Sequence, residues 1–369
     1  MLHRPVPYLG KAYTKGTTRK RGMSSLQQMM RDKILRGDSP LDYEDVDCPC
    51  GANTNTNANA NANANNIVLT AVERHGLDCR NVLCAACGLI RISPRWNQAR
   101  YRRFYETQYR GLYNHVTTSK EEFVHFLAAL PQSKQFGTWI ETTISRHGNG
   151  SARPTVIEIG AGGGWNLAAL PRNWRRIGYD VDQEYLAIAH KTFGLEMCFG
   201  FLENALDSIC TADAVILSHV VEHFPNPEEA LASLAVRMKP SALLLIEVPG
   251  LFRIHRSALD PMIFMQNAHT YTFCAQTLSD ACGSASLEVL EIDETCRAVC
   301  RSSIMKQNRN YHPSLSKKIL HYLRLCEIGF STFLALRKIP LAGRLLGAIW
   351  KKIYFPTLKF HVPRLGRNR

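Results

Sequence analysis

Val156-Ile157-Glu158-Ile159-Gly160-Ala161-Gly162-Gly163-Gly164-Trp165 is the stretch on which the fold of this 369-residue chain turns. The apolar run Thr155–Ile159 reads as a short strand, and a glycine cluster follows where the chain bends into a helix. Glycine is needed at such a bend because a side chain would hold a ligand away from the main chain. Strand, glycine turn and helix together form the place where an open α/β sheet binds nucleotides. A dinucleotide-binding turn would read G-x-G-x-x-G, but its third position here is Trp165.

The spacing is instead E-x-G-x-G-x-G, through Glu158, Gly160, Gly162 and Gly164. It favours S-adenosylmethionine (SAM) over NAD, whose pyrophosphate needs a helix N-terminus close by. A second feature supports this. Arg176–Tyr179 reads as the next strand, and Asp180 follows it, 20 residues after Gly160. A carboxylate there can accept hydrogen bonds from both ribose hydroxyls. Asp182 is better placed to cap the helix that runs to Phe193. Further along, Glu196–Phe199, Ala214–Ser218 and the continuously apolar Ala242–Val248 read as strands, with helices at Pro227–Met238 and Ala275–Cys282. Leu287–Ile292 and Ser303–Lys306 are expected to form a closing antiparallel pair. The alternation predicts a Rossmann-like, doubly wound α/β sheet.

The segments VIEIGAGGGWNL, IGYDVDQEYLAIA, ADAVILSHVVEHFPNPEEAL and MKPSALLLIEVPG, in this order, resemble the successive motifs of class I SAM-dependent methyltransferases. The resemblance covers about 150 residues and implies a methyltransferase domain at 154–307. It places Glu158 by the methionine end of SAM, the glycines beneath it and Asp180 on the ribose. One departure is Lys239-Pro240-Ser241-Ala242, where the family often has Pro-Gly-Gly.

Ser218-His219-Val220-Val221-Glu222-His223-Phe224 follows the fourth strand, at the edge where a methyl acceptor would sit. It fits the H-x-x-E-H pattern of certain zinc proteases, but a strand before it and Pro225 and Pro227 after it leave no long helix. Methyl transfer to a hydroxyl needs an acceptor held in line and a group to take its proton, a task suited to histidine. His219, Glu222 and His223 are candidates for a base and its orienting partner. Two other uses stay open: a loop that only shapes the SAM site, and a metal site. The segment resembles the ubiquinone-pathway O-methyltransferases and the small-RNA 2′-O-methyltransferases. In the latter, Glu-x-x-Glu-His and a downstream histidine hold a divalent metal. Here His219 replaces the first glutamate, and His269 is the candidate downstream partner.

Two cysteine pairs precede this domain, Cys48-Pro49-Cys50 and Cys84-Ala85-Ala86-Cys87. The second has the spacing of a zinc knuckle; the first is one residue shorter, so Cys79 or His75 could replace one ligand. The segment CAACGLIRISPRW, followed by YRRFYETQY, resembles the N-terminal zinc ribbon of bacterial methyltransferases linked with sugar and surface-polysaccharide pathways. That implies a structural zinc on Cys48, Cys50, Cys84 and Cys87 in a module at 45–95. The Asn/Ala/Thr tract at 52–66 has nothing to bury and reads as a disordered insertion. Residues 96–150 read as a helical linker whose rings (Tyr101, Phe104, Tyr105, Tyr109, Tyr113) either pack on the next domain or cover a ligand.

The net charge is +14, but it sits at the ends. Residues 1–36 hold nine Lys/Arg and one acid, residues 301–369 hold fifteen and one, and the remaining 37–300 therefore carry −8. The basic balance thus argues for tails that meet an anionic surface, rather than for a nucleic-acid-binding core. Residues 1–40 read as a disordered basic arm. They lack a signal-peptide core, so a cytoplasmic location is expected, with an organelle transit peptide as the alternative. The 308–369 tail alternates basic and apolar residues. Either it lies on an anionic membrane through 316–355, or it packs as a helical hairpin on the domain. Taken together, the sequence implies a SAM-dependent methyltransferase acting on a small or lipid-linked acceptor, expected to be a sugar or glycan hydroxyl. An RNA 2′-O-methyltransferase and a non-catalytic SAM-binding scaffold are the alternatives.

Overall fold

The computed structural model describes residues 24–52, 66–114, 130–257, 261–307, 309–336, 338–339 and 343–359. Within the basic arm, helix α1 (Ser25–Gly37) replaces the expected disorder. The Ser24 hydroxyl accepts from the Gln27 N–H while the Gln27 side chain accepts from the Ser24 N–H, which caps the helix. Gln27 and Ile34 then anchor it, the Gln27 amide donating to the Leu112 carbonyl at 2.9 Å. Residues 1–23 lie outside the described part, as does 53–65 of the low-complexity tract.

β1 (Tyr43–Glu44) leads into the cysteine module, whose β2 (Asn66–Val72), β3 (Asp78–Cys84) and β4 (Ile90–Ile92) form an antiparallel sheet. β5 (Arg95–Trp96) returns to pair with β1. Next come α2 (Gln98–Thr107), a wide helical turn at Arg110–Asn114, and α3 (Leu130–His147).

The large domain supplies β6 (Thr155–Ile159), α4 (Trp165–Ala168), β7 (Arg175–Asp180), α5 (Gln183–Phe193), β8 (Glu196–Phe199), α6 (Leu202–Ile209), β9 (Ala214–Ser218), α7 (Pro227–Arg237) and β10 (Leu243–Glu247). After these come β11 (Tyr271–Thr272), α8 (Ala275–Ser284), β12 (Leu287–Ile292) and β13 (Arg297–Ser302). Seven strands form one sheet in the order β12-β13-β10-β9-β6-β7-β8. β8 through β10 run parallel, while β13 is antiparallel to β10 and β12 to β13. This is the class I methyltransferase fold. The order reverses between β6 and β9, so the crevice lies at their carboxyl ends.

The expected partner of Leu287–Ile292 was misplaced: the strand is Arg297–Ser302, not Ser303–Lys306. Ala298, Val299 and Cys300 are buried, whereas Ile304 and Met305 are fully or largely exposed.

Alternation along the central strands feeds two cores. Ile157, Val215, Leu217, Leu244 and Ile246 face α6, α7 and α8. Val156, Ile216, Leu243 and Leu245 face Phe136, Ile140 and Ile144 of α3. The cysteine module is not a separate bead. β11, from the large domain, adds to its sheet beside β4, and Cys48, Cys84 and Cys87 belong to the same core as Tyr271 and Phe273.

The tail forms two helices, α9 (Pro313–Leu336) and α10 (Gly343–Lys359). α9 is long and apolar enough to cross a membrane. Its Ile319, Tyr322, Leu323 and Cys326 are nevertheless completely buried in a cluster with Leu69, Leu83 and Ile90 of the module. Ser316 donates to the Ala85 carbonyl, and the His312 N–H to that of Ala86. α9 therefore closes over the loop between Cys84 and Cys87.

Candidate functional site

The three glycines have different reasons to be glycine. All have positive φ: +68° at Gly160, +53° at Gly162 and +75° at Gly164. A Cβ at Gly160 would fall 2.7 Å from Val220, and one at Gly164 would fall 2.5 Å from Leu195. At Gly162 it would meet nothing nearer than the Trp165 ring, at 3.4 Å. The outer glycines are demanded by packing, and Gly162 leaves a bare stretch of main chain.

Asp180 faces that stretch. Its Oδ2 accepts from the Gly162 N–H at 2.8 Å and its Oδ1 from the Asp182 N–H at 2.9 Å. Asp182 caps α5 as expected, accepting from the Glu184 and Tyr185 N–H groups. Val181, Phe199 and Phe201 stand exposed beside Asp180, an apolar wall that sequence patterning missed because isolated exposed rings carry no period. Arg110 was also missed; it pairs with Asp182 and lies over the Tyr185 ring.

Glu158, at the end of β6, is 1% exposed. Asn166 donates to its Oε1 at 2.8 Å, and Oε2 has no hydrogen-bond partner among the described residues. Burial pushes its carboxyl up to about 8, with Asn166 opposing. A buried carboxyl with an orphaned oxygen beside a bare glycine turn suits the ammonium of a methionine moiety. The residues therefore fit SAM.

On the other side of the crevice, β9 ends at Ser218 and His219 takes the left-handed region at φ +56°. Its side chain is 57% exposed, while Glu222 is 2% exposed. Nδ1 of His219 lies 3.4 Å from the Glu222 carboxylate and Nε2 of His223 lies 3.9 Å from it. Neither Glu222 oxygen accepts a well-formed hydrogen bond from the described residues. Burial alone would raise the Glu222 pKa, but the charges of His223, His219 and His269 hold it down to about 2. Desolvation works against the His219 cation, yet Glu222 outweighs it and raises that pKa above its ordinary value.

His269 does join this group, its ring 5.1 Å from that of His223. Nδ1 of His223 bonds the Ala268 carbonyl at 2.7 Å and Nδ1 of His269 bonds that of Phe264 at 3.0 Å, so both rings carry their proton on Nδ1. Burial pushes His269 down to about 3. Tyr105 completes the wall: its hydroxyl reaches Nδ1 of His223 and donates to the Ala268 carbonyl, each at 3.0 Å. The aromatic face of α2 is thus both packing and site wall.

The four cysteines converge, the short first pair included. Cys48 lies 3.5 Å from Cys87, Cys50 3.4 Å from Cys48 and Cys50 3.7 Å from Cys84, sulfur to sulfur, and none is in a disulfide. Cys79 is buried against Asn81, and His75 bonds Arg74, so neither replaces a ligand. The short C-x-C pair works because the Cys48 carbonyl accepts from Gly51 N–H in a turn with Gly51 at φ +72°.

Residues 112–292, a little under half of the chain, match the family model described as a methyltransferase domain. No curated protein matches the sequence. Among solved structures, an O-methyltransferase family 2 protein from Planctomyces limnophilus, in complex with apigenin, is 17% identical with a TM-score of 0.39. The match covers 51% of this chain and 62% of that one, so this chain spans about three fifths of its length. A complex of the Haloferax volcanii Trm112 methyltransferase activator with a methyltransferase is also 17% identical, covering 52% and 100%, with a TM-score of 0.39. The plantazolicin methyltransferase in complex with SAH is 17% identical, covering 42% and 64%, with a TM-score of 0.35. Residues 112–292 thus carry a methyltransferase domain, on the class I fold described above.

Proposed function

We propose that the enzyme methylates a hydroxyl of a small or lipid-linked acceptor, of the sugar or glycan class, with His219 as general base and Glu222 as its orienting partner. The observation that carries this reading is the contrast across 3.4 Å: a buried carboxylate behind Nδ1 of an exposed imidazole, at the carboxyl end of β9. SAM, when bound, supplies an electrophilic methyl on a sulfonium whose departure leaves a neutral thioether. His219 Nε2, turned away from Glu222, takes the hydroxyl proton as the acceptor oxygen bonds to the methyl carbon. Glu222 stabilises the imidazolium that forms at His219. Glu158 and Asp180 anchor the two ends of the donor.

The sugar class rests on the resemblance of the cysteine module. Transfer of labelled methyl from SAM to fractionated extract tests it. Label is expected in a glycan or glycolipid fraction that resists nuclease, and to be lost with His219→Ala. Label that nuclease releases would instead mark an RNA 2′-O-methyltransferase.

A structural zinc on Cys48, Cys50, Cys84 and Cys87 belongs to the same proposal. A tetrahedral site with zinc–sulfur bonds of about 2.3 Å has sulfur–sulfur edges of about 3.8 Å, close to the separations above. Zinc there would tie β3 to the chain before β2 and add folding energy, not chemistry. One zinc per purified chain is expected; far less than one would refute it.

A second reading, with a divalent metal on Glu222, His223 and His269, is favoured by one observation. Their ligand atoms lie within 4.8 Å of one another, and both rings hold Nδ1 on a backbone carbonyl, leaving Nε2 as the lone-pair nitrogen. Gln266 donates to Nε2 of His269 and would have to yield. Activity that survives exhaustive chelation would exclude this reading while leaving the base in place.

A further inference from the structure

The two tail helices divide their labour. α9 is buried against the cysteine module, and α10 packs one face on α9. On that face the Trp350 and Tyr354 rings stack at 4.3 Å, the Tyr354 hydroxyl donates to the Leu325 carbonyl, and Gly329 makes room for the ring. The adjoining face shows Leu345 (66% exposed), Ile349 (45%) and Ile353 (66%), one per helical turn, with Leu346 between them and Trp350. Lys352 is exposed seven residues after Leu345 and three after Ile349, which sets it on the edge of this stripe. The turn before α10 adds exposed Lys338 and Ile339.

We infer that this face of α10 docks on an anionic phospholipid surface, with the leucine and isoleucine row in the acyl boundary and the lysines at the headgroups. Length excludes a spanning role for α10: 17 residues make a helix of about 26 Å, short of a hydrocarbon core of about 30 Å, and Lys351 and Lys352 lie within it. Charge selects the lipid over a second copy of the chain. Residues 301–369 hold fifteen Lys/Arg against Glu327 alone, so pairing two tails would set +14 against +14. An anionic bilayer supplies both the negative charge and the apolar layer that the stripe needs. The inference stands on α10 alone and does not depend on which acceptor the site methylates.

The test is co-sedimentation of the full chain with phosphatidylcholine vesicles and with vesicles containing phosphatidylserine, alongside Leu345→Glu/Ile349→Glu and Lys338→Glu/Lys352→Glu. The wild type should pellet with the phosphatidylserine vesicles, more weakly at high salt, and not with phosphatidylcholine alone. Each double variant should lower vesicle affinity by about tenfold or more and keep the wild-type melting temperature, because exposed side chains are replaced. Equal binding by wild type and variants would overturn the inference, as would no vesicle binding at all. So would a wild-type dimer that Leu345→Glu/Ile349→Glu converts to a monomer, which would make the face a contact between copies.

Discussion

Glu158 and Glu222 are equally buried, at 1% and 2% exposure, and stand on opposite sides of one crevice. The first has its carboxyl pushed up to about 8 and the second is held at about 2. Desolvation acts alike on both. The difference lies in what faces them: Asn166 and the negative charges of Asp180 and Glu247 around Glu158, and three histidines around Glu222. On the proposed reading, the side of Glu158 receives the cation of the methyl donor, and the side of Glu222 keeps an anion ready behind a base.

The sharpest break of this contrast is His219→Ala. Turnover should fall by about 10²–10⁴-fold with SAM affinity unchanged; unaltered turnover with saturating SAM would remove His219 from its role. Asp180→Asn should do the reverse, weakening SAM by about ten- to a hundredfold through loss of charge-assisted hydrogen bonds, measured by titration calorimetry. Turnover at saturating SAM should then change little. Glu222→Gln should shift the acidic limb of the rate profile to lower pH, because His219 loses the charge that raises its pKa. A profile that does not move would separate the two residues.

The two glutamates also have opposite effects on stability. Glu222 and His269 have folded-state values below their ordinary ones, so their contributions are present above about 4.5 and 6.5 and are lost as pH falls toward 2 and 3. Glu158, raised, favours the fold below about 4.5 and loses that contribution as pH climbs through 8. Melting temperature should therefore decline on both sides of neutrality, and Glu158→Gln should flatten the alkaline side only. The smallest effect belongs to Tyr105→Phe, which removes a bond to the Ala268 carbonyl and should cost about 1 kcal/mol of stability, seen in denaturant melts.

The donor half was legible because it is local. Glu158 to Gly164 is one turn and Asp180 ends the next strand, so a spacing of 20 residues encodes a contact made through Gly162. The acceptor half was legible only as types. His219, Glu222 and His223 could be named from one segment, but their roles depend on exposure and on which nitrogen bonds a carbonyl. Those follow from Tyr105, Phe264 and Ala268, which lie far away in the chain and carry no pattern. The tail shows the same limit: its period predicted helices, but only packing separates α9, buried against Leu69 and Leu83, from the exposed α10.

Calorimetric titration of SAM into the wild type and Gly162→Leu, with thermal melts to establish that both are folded, tests the donor half most directly. One-to-one binding by the wild type is predicted, with release of a proton near neutral pH as Glu158 ionises beside the ammonium, and no binding by the variant. No heat from the wild type, or equal affinity in a folded Gly162→Leu, would contradict it.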